Sequence, residues 1–170
     1  EFQVPLASGR QLCANLSGLY RSPRPRRPPV LVGTHFDTRL IADREPDPRL
    51  RDRPIPGAND GGSGTAVLLG LLPVLRRAAR RGELDRDTTV VFFDAEDVGG
   101  LAGLPFAFGA LRYCQEALDA ETAEVLVLDM IGGRDLELDL DAHAREHPPS
   151  LRLTQELFAM GRQSDPRVFR

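Results

Sequence analysis

The chain has 170 residues, a formal net charge of −3 at pH 7, and 41% hydrophobic and 28% charged residues. These values suit a single globular domain, residues 1–170, with room for a hydrophobic core, and they carry no electrostatic footprint for nucleic acid. Every basic residue is arginine, which excludes a Schiff-base lysine, a lysine general base and the lysine of a P-loop.

The two cysteines, Cys13 and Cys114, form no CxxC, so a thiolate zinc site and a thioredoxin-like motif are excluded. They either pair in an oxidising compartment or stay as two thiols. No apolar run reaches about 18 residues, the length that spans a membrane. The sequence opens on Glu1-Phe2-Gln3, neither a start methionine nor a signal peptide, so both ends are expected to be cut.

Residues 2–20 alternate loosely and are interrupted at Ser8-Gly9 and Ser17-Gly18, which predicts a hairpin-like pair of strands. Arg21 to Arg27 is broken by prolines and reads as a solvated loop rather than a phosphate-binding patch. Residues 29–34 form a short apolar run of the buried-strand kind, stopping at His35-Phe36-Asp37. Residues 39–57 hold four prolines and many charges without periodicity, a long irregular loop of the kind that is often functional.

That loop ends in Gly57-Ala58-Asn59-Asp60-Gly61-Gly62-Ser63-Gly64. From Thr65 to Arg81 the pattern turns helical, with Leu68, Leu71, Leu72 and Leu75 on one face and Pro73 expected to kink or break the helix. Thr88 to Phe93 predicts a second buried strand, stopping at Asp94-Ala95-Glu96-Asp97. A helix is expected over Leu104 to Leu118, then a third buried strand over Glu124 to Leu128 that stops at Asp129. A polar stretch follows, then a helix over Pro149 to Met160 with Ser150 as its expected cap.

Strands alternating with helices predict an α/β sandwich with a largely parallel sheet. Ligands of such sheets bind beyond the carboxyl ends of the strands, and here three predicted strands end there in acids or histidine. His35, Asp37, Asp60, Glu96, Asp97 and Asp129 have the composition of a metal site with a general base. Taken singly, each acid reads equally as a helix cap or a solvated group. Gathered at one sheet edge, they would repel one another unless a cation or protons neutralised them. The Gly-rich segment matches neither a P-loop nor a dinucleotide fingerprint, and it carries Asp60 where an anion would approach, so a cation suits it better.

Four motifs occur in order: Thr-His35-Phe-Asp37-Thr, Pro-Gly-Ala-Asn-Asp60-Gly-Gly-Ser-Gly, Phe-Phe-Asp-Ala-Glu96-Asp97 and Leu-Asp129-Met-Ile-Gly. Together they resemble the superfamily of zinc aminopeptidases and glutaminyl-peptide cyclotransferases, over nearly the whole chain. The resemblance implies a three-layer α/β sandwich with a mostly parallel, mixed central sheet, incomplete at its C-terminal side. It implies Asp60 as the central carboxylate ligand, bridging two metals in an aminopeptidase and binding a single zinc in a cyclase, Asp97 as the next ligand where many relatives have glutamate, and Glu96 as general base and acid. His35 and Asp129 would hold a second zinc in an aminopeptidase. In a cyclase, with one zinc, Asp129 would instead hydrogen-bond near the substrate amine, and Asp37 would orient His35.

His-Phe-Asp-Thr-Arg, the charged proline-rich loop and Asp-Ala-Glu-Asp look more like bacterial cyclases, which form N-terminal pyroglutamate and release ammonia. The alternatives are an aminopeptidase and a truncated, inactive binding module. The resemblance further implies a peptide or protein N-terminus as substrate and a secreted or periplasmic location. Relatives supply one more histidine ligand near the C-terminus, which this chain does not reach. His143 and His147 do not occupy that position and read as part of a surface loop. An incomplete sheet would expose apolar surface, so poor solubility, self-association or a partner filling the gap is expected.

Overall fold

The computed structural model describes residues 1–6, 8–140 and 142–169, excluding the side chains of Ala102, Ala142 and His143. These residues form two compact units, Glu1–Ile131 and Gly132–Arg170.

The first unit is built on a four-stranded sheet in the order β3-β5-β4-β6. Strand β4 (Val30–His35) pairs in parallel with β5 (Thr88–Phe93) on one side and β6 (Glu124–Val127) on the other. Strand β3 (Leu16–Tyr20) runs antiparallel beside β5. The expected hairpin over residues 2–20 is therefore three strands. Only β1 (Phe2–Leu6) and β2 (Gly9–Cys13) make the hairpin, and β3 leaves it for the main sheet. Alternation alone does not say which neighbour a strand takes.

The period of two along β4 and β5 splits their side chains between two helical layers. Leu31, Val91 and Phe93 face Ala110 and Tyr113 of α2 (Phe108–Glu116). Val32 and Val90 face Leu68, Leu71, Leu72 and Leu75 of α1 (Gly62–Arg81). The unit is thus a three-layer α/β sandwich with a mixed, mostly parallel sheet. A third cluster of Phe2, Val4, Cys13, Ala95 and Val98 seats the β1–β2 hairpin on the turn that follows β5. Cys13 is buried, Cys114 is exposed, and neither is in a disulfide.

Helix α1 begins three residues before the expected Thr65 and runs unbroken through Pro73. Pro73 is exposed, as is Leu69 one turn earlier, so the carbonyl deprived of its partner faces water. Gly82, left-handed at φ 66°, closes the helix with its N–H on the carbonyls of Ala78 and Ala79.

In the second unit, α3 (Ala142–Glu146) occupies the stretch expected to be a loop, and α4 (Pro148–Ser164) follows. His147, not Ser150, is the N-cap of α4; it makes no side-chain cap, and its Nδ1 instead meets Ser150 Oγ at 2.8 Å. Pro148 and Pro149 suit the first helical positions, where no intrahelical N–H is needed, and so start the helix earlier than Ser150 would. The side chain of His143 lies outside the described residues. Phe158 stacks edge-on with Phe169, ring centroids 5.5 Å apart. Among the described residues no helix is long and apolar enough to cross a membrane.

Candidate metal centre

The carboxyl ends of β4, β5 and β6 lie side by side, because those strands are parallel and in register. His35 is the last residue of β4, Glu96 and Asp97 lie just beyond β5, and Asp129 lies just beyond β6. Asp60 is delivered by the N-terminus of α1, which docks closely onto the strand ends. A Cβ at Gly64 would collide with Thr34 Oγ1 and the Leu128 carbonyl, so only glycine allows this approach. Gly61, at φ 79°, turns the chain directly beside the His35 ring. Two hydroxyls complete the dock: Thr65 Oγ1 donates to the His35 carbonyl at 3.0 Å and Thr34 Oγ1 to the Leu128 carbonyl at 2.8 Å.

The result is a compact group. One atom each of His35, Asp60 and Asp129 lies within 4.8 Å of the others. His35 Nε2 is 3.1 Å from Asp60 Oδ1 and 3.2 Å from Asp129 Oδ1. The ring is only 2% exposed, whereas the two carboxylates open to solvent. Its other nitrogen, Nδ1, faces Asp37 Oδ1 at 3.4 Å without an aligned hydrogen bond. Burial on its own would lower the His35 pKa. The Asp37 carboxylate, then the charge of Glu96 and the hydrogen bond with Asp129, outweigh it and push the pKa up to about 9.

Asp37 is the hub between this histidine and the turn after β5. Its Oδ1 accepts the Glu96 N–H and its Oδ2 the Asp97 N–H, both at 3.0 Å. Burial would raise its pKa, but His35 and these two N–H groups hold it below the ordinary carboxylate value. Glu96 and Asp97 shift the other way. Burial raises the Glu96 pKa, helped by the charges of Asp97, Asp37 and Asp129 against the opposing pull of His35. Burial also raises that of Asp97, followed by the charge of Asp60. Between Asp94 and Glu96, Ala95 is held left-handed at φ 55°, a costly conformation for a non-glycine residue. Asp94 stabilises the bend by accepting the N–H of Ala95 at 2.8 Å and of Ala14 at 2.9 Å.

An imidazole nitrogen and two carboxylate oxygens with an open side form a three-ligand set with a free position, as catalytic zinc sites have. A carboxylate behind the imidazole is the usual outer partner of such a ligand. The residues therefore fit a metal ion. The Asp60–Asp97 pair expected from the sequence has no histidine beside it, whereas His35, Asp60 and Asp129, the side chains that the aminopeptidase expectation places around a second metal, lie together. Asp97 stays close enough to Asp60 for their charges to interact, and both line one cavity of about 340 Å³ with Phe106, Ile55 and the loop after β4. Arg39, buried within this loop, was not among the candidate site residues; the sequence placed it only at the end of the His-Phe-Asp-Thr-Arg stretch and gave it no role of its own.

Solved structures share this fold. Glutaminyl cyclase from Bacteroides thetaiotaomicron, bound to N-acetylhistamine, superposes with a TM-score of 0.76 at 21% identity, over 99% of this chain and 59% of that one. Tannerella forsythia glutaminyl cyclase gives 0.79 at 22% identity, over 99% and 58%. A Zn-dependent exopeptidase from Parabacteroides distasonis gives 0.74 at 22% identity, over 99% and 60%. The chain thus spans about three-fifths of the length of these structures. No curated protein matches the sequence. Residues 15–169 match the description of Peptidase family M28, and with its fold and its His35-Asp60-Asp129 group the chain belongs to that family.

Proposed function

We propose that this chain carries the metal-and-base part of a zinc-dependent glutaminyl-peptide cyclotransferase, which closes an N-terminal glutamine to pyroglutamate with release of ammonia. The observation that carries the reading is the hydrogen bond from His35 Nε2 to Asp129, with Asp60 in ion-pair contact with the same nitrogen. In this reading His35 keeps its hydrogen bond with Asp129, and a single cation occupies the Asp60–Asp97 side. Asp129 then remains to accept a hydrogen bond from the substrate α-amine.

A zinc ion bound by Asp60 and Asp97 would act as a Lewis acid toward the side-chain amide carbonyl of the glutamine. Glu96, half-buried and with a raised pKa, accepts a proton as the α-amine nitrogen bonds to the amide carbon. It returns that proton to the amide nitrogen as the carbon–nitrogen bond breaks, so ammonia leaves and the carboxylate is restored. Asp129 orients the amine, and the cavity beside Asp60 and Asp97 holds the rest of the N-terminal residue in ring-closing geometry.

A second reading, a two-metal aminopeptidase, is favoured by the completeness of the His35-Asp60-Asp129 set. In it, His35 gives up its proton and becomes a ligand, and Glu96 deprotonates an attacking water. Zinc titration by calorimetry, followed by assays on a Gln-initiated peptide and an aminoacyl amide, separates the two. One zinc and ammonia release support the cyclase; two zincs and amine release from the aminoacyl amide replace it with the aminopeptidase.

A further inference from the structure

We propose that Arg39 is a positioning residue that fixes the Glu96–Asp97 turn, and with it the Asp97 carboxylate, by tying that turn to the loop after β4. The proposal rests on the reading of Asp97 as a metal ligand.

Arg39 is 8% exposed, unusual for a residue of its charge and length. Its Nη1 donates to the carbonyls of Asp97 and Gly99, both at 2.7 Å. Its Nε and Nη2 grip the two oxygens of Asp43 at 2.9 and 2.7 Å, in the bidentate geometry that only guanidinium supplies. Nη1 also lies 3.9 Å from Asp97 Oδ1, and the guanidinium carbon is 5.8 Å from the centroid of the Phe106 ring.

These contacts complete a pattern. Asp37 takes the N–H groups of Glu96 and Asp97, the Ala107 N–H satisfies the Glu96 carbonyl at 2.9 Å, and Arg39 satisfies that of Asp97. Both backbone polar groups of the base and of the adjacent ligand are thereby held. Asp37 and Arg39 lie two residues apart on one loop and grip the turn through its donors and its acceptors respectively. Asp97 has a side chain one methylene shorter than glutamate, so its reach depends on where the turn sits.

The test compares Arg39→Lys and Asp43→Asn with wild type and with Arg86→Lys. Arg86 is equally buried but binds Glu124 and Asp85 at the amino ends of the strands. Lysine keeps the charge of Arg39 and loses the fork; Asp43→Asn weakens the fork from its exposed side should Arg39→Lys fold poorly. In the metal-free proteins, amide hydrogen exchange should quicken at residues 95–100 in both site variants and not in Arg86→Lys. Zinc Kd should rise about tenfold or more, in the range that loss of outer-shell partners produces, again not in Arg86→Lys. Unchanged exchange at residues 95–100 in both site variants overturns the proposal. So does an equal effect from Arg86→Lys, which would mean general loosening. If wild type binds no zinc, the functional reading fails, and the exchange data alone decide the place of Arg39.

Discussion

Asp37 Oδ2 accepts the backbone N–H of Asp97 at 3.0 Å, so the residue behind the histidine also holds the turn that presents Glu96. One carboxylate links the ends of β4 and β5, and the protonation of His35 is thereby coupled to the geometry of Glu96. The amide of Asp37→Asn has only one acceptor oxygen for the two N–H groups. One buried donor is left unmatched, at a cost of about 1–3 kcal/mol. Urea unfolding of the metal-free variant should show that loss, and the His35 pKa, followed by NMR, should fall from its raised position.

The charge state of His35 makes the metal-free protein sensitive to alkali. Its pKa of about 9 in the fold lies above its ordinary value of 6.5. The stabilisation is therefore fully present below about pH 6.5 and is lost as pH rises through about 9. Unfolding midpoints measured in chelator between pH 6 and 10 should decline across that window, and His35→Gln should flatten the decline. In the two-metal reading the metal must displace this proton, so affinity for the second zinc would increase with pH over the same range.

In the proposed reading Glu96→Gln removes the proton acceptor while keeping the side chain's shape. Turnover should drop by roughly 10²–10⁴-fold, the usual contribution of general acid–base catalysis. Zinc affinity measured by calorimetry should stay close to wild type, because Glu96 is not assigned as a ligand. A parallel loss of zinc binding would make Glu96 a ligand instead.

Gly64→Ala tests the docking of α1. The added Cβ meets Thr34 Oγ1 and the Leu128 carbonyl, and backbone on one side cannot yield cheaply. A destabilisation of about 1–3 kcal/mol is expected, read from urea unfolding, with Asp60 displaced and zinc binding weakened. Gly70, on the same helix with nothing within 4 Å of an added Cβ, provides the control, where alanine should be neutral or stabilising.

Much of this site was legible in the sequence because the strands that carry it are apolar, although β6, expected to be buried, is an edge strand with Val125 and Val127 exposed. Val30 to Thr34, Thr88 to Phe93 and Glu124 to Val127 announce themselves by continuous apolar or β-branched runs, and the acids begin where those runs stop. Less was legible where choice of partner decides. Leu16 to Tyr20 reads as a strand in any pairing, and only the fold sets it beside β5. The union of His35 with Asp60 depends on the approach that Gly61 and Gly64 allow, a distance that spacing along the chain does not encode. The contacts of Arg39 were not legible for a related reason: they are made to the carbonyls of Asp97 and Gly99, and a backbone carbonyl has no residue type.

The hydrogen bond between His35 and Asp129 spans 94 positions of chain. Closing a loop of that length in one step would cost about 4 kcal/mol of chain entropy by the logarithmic term alone. Strand β5 lies between β4 and β6 in the chain and pairs with β4, so that pairing shortens the segment left for β6 to close. The contact of His35 with Asp129 therefore forms only once β6 has paired with β4. Zinc added to a refolding chain should be captured with the rate of that pairing, so metal uptake would serve as a clock for completion of the sheet.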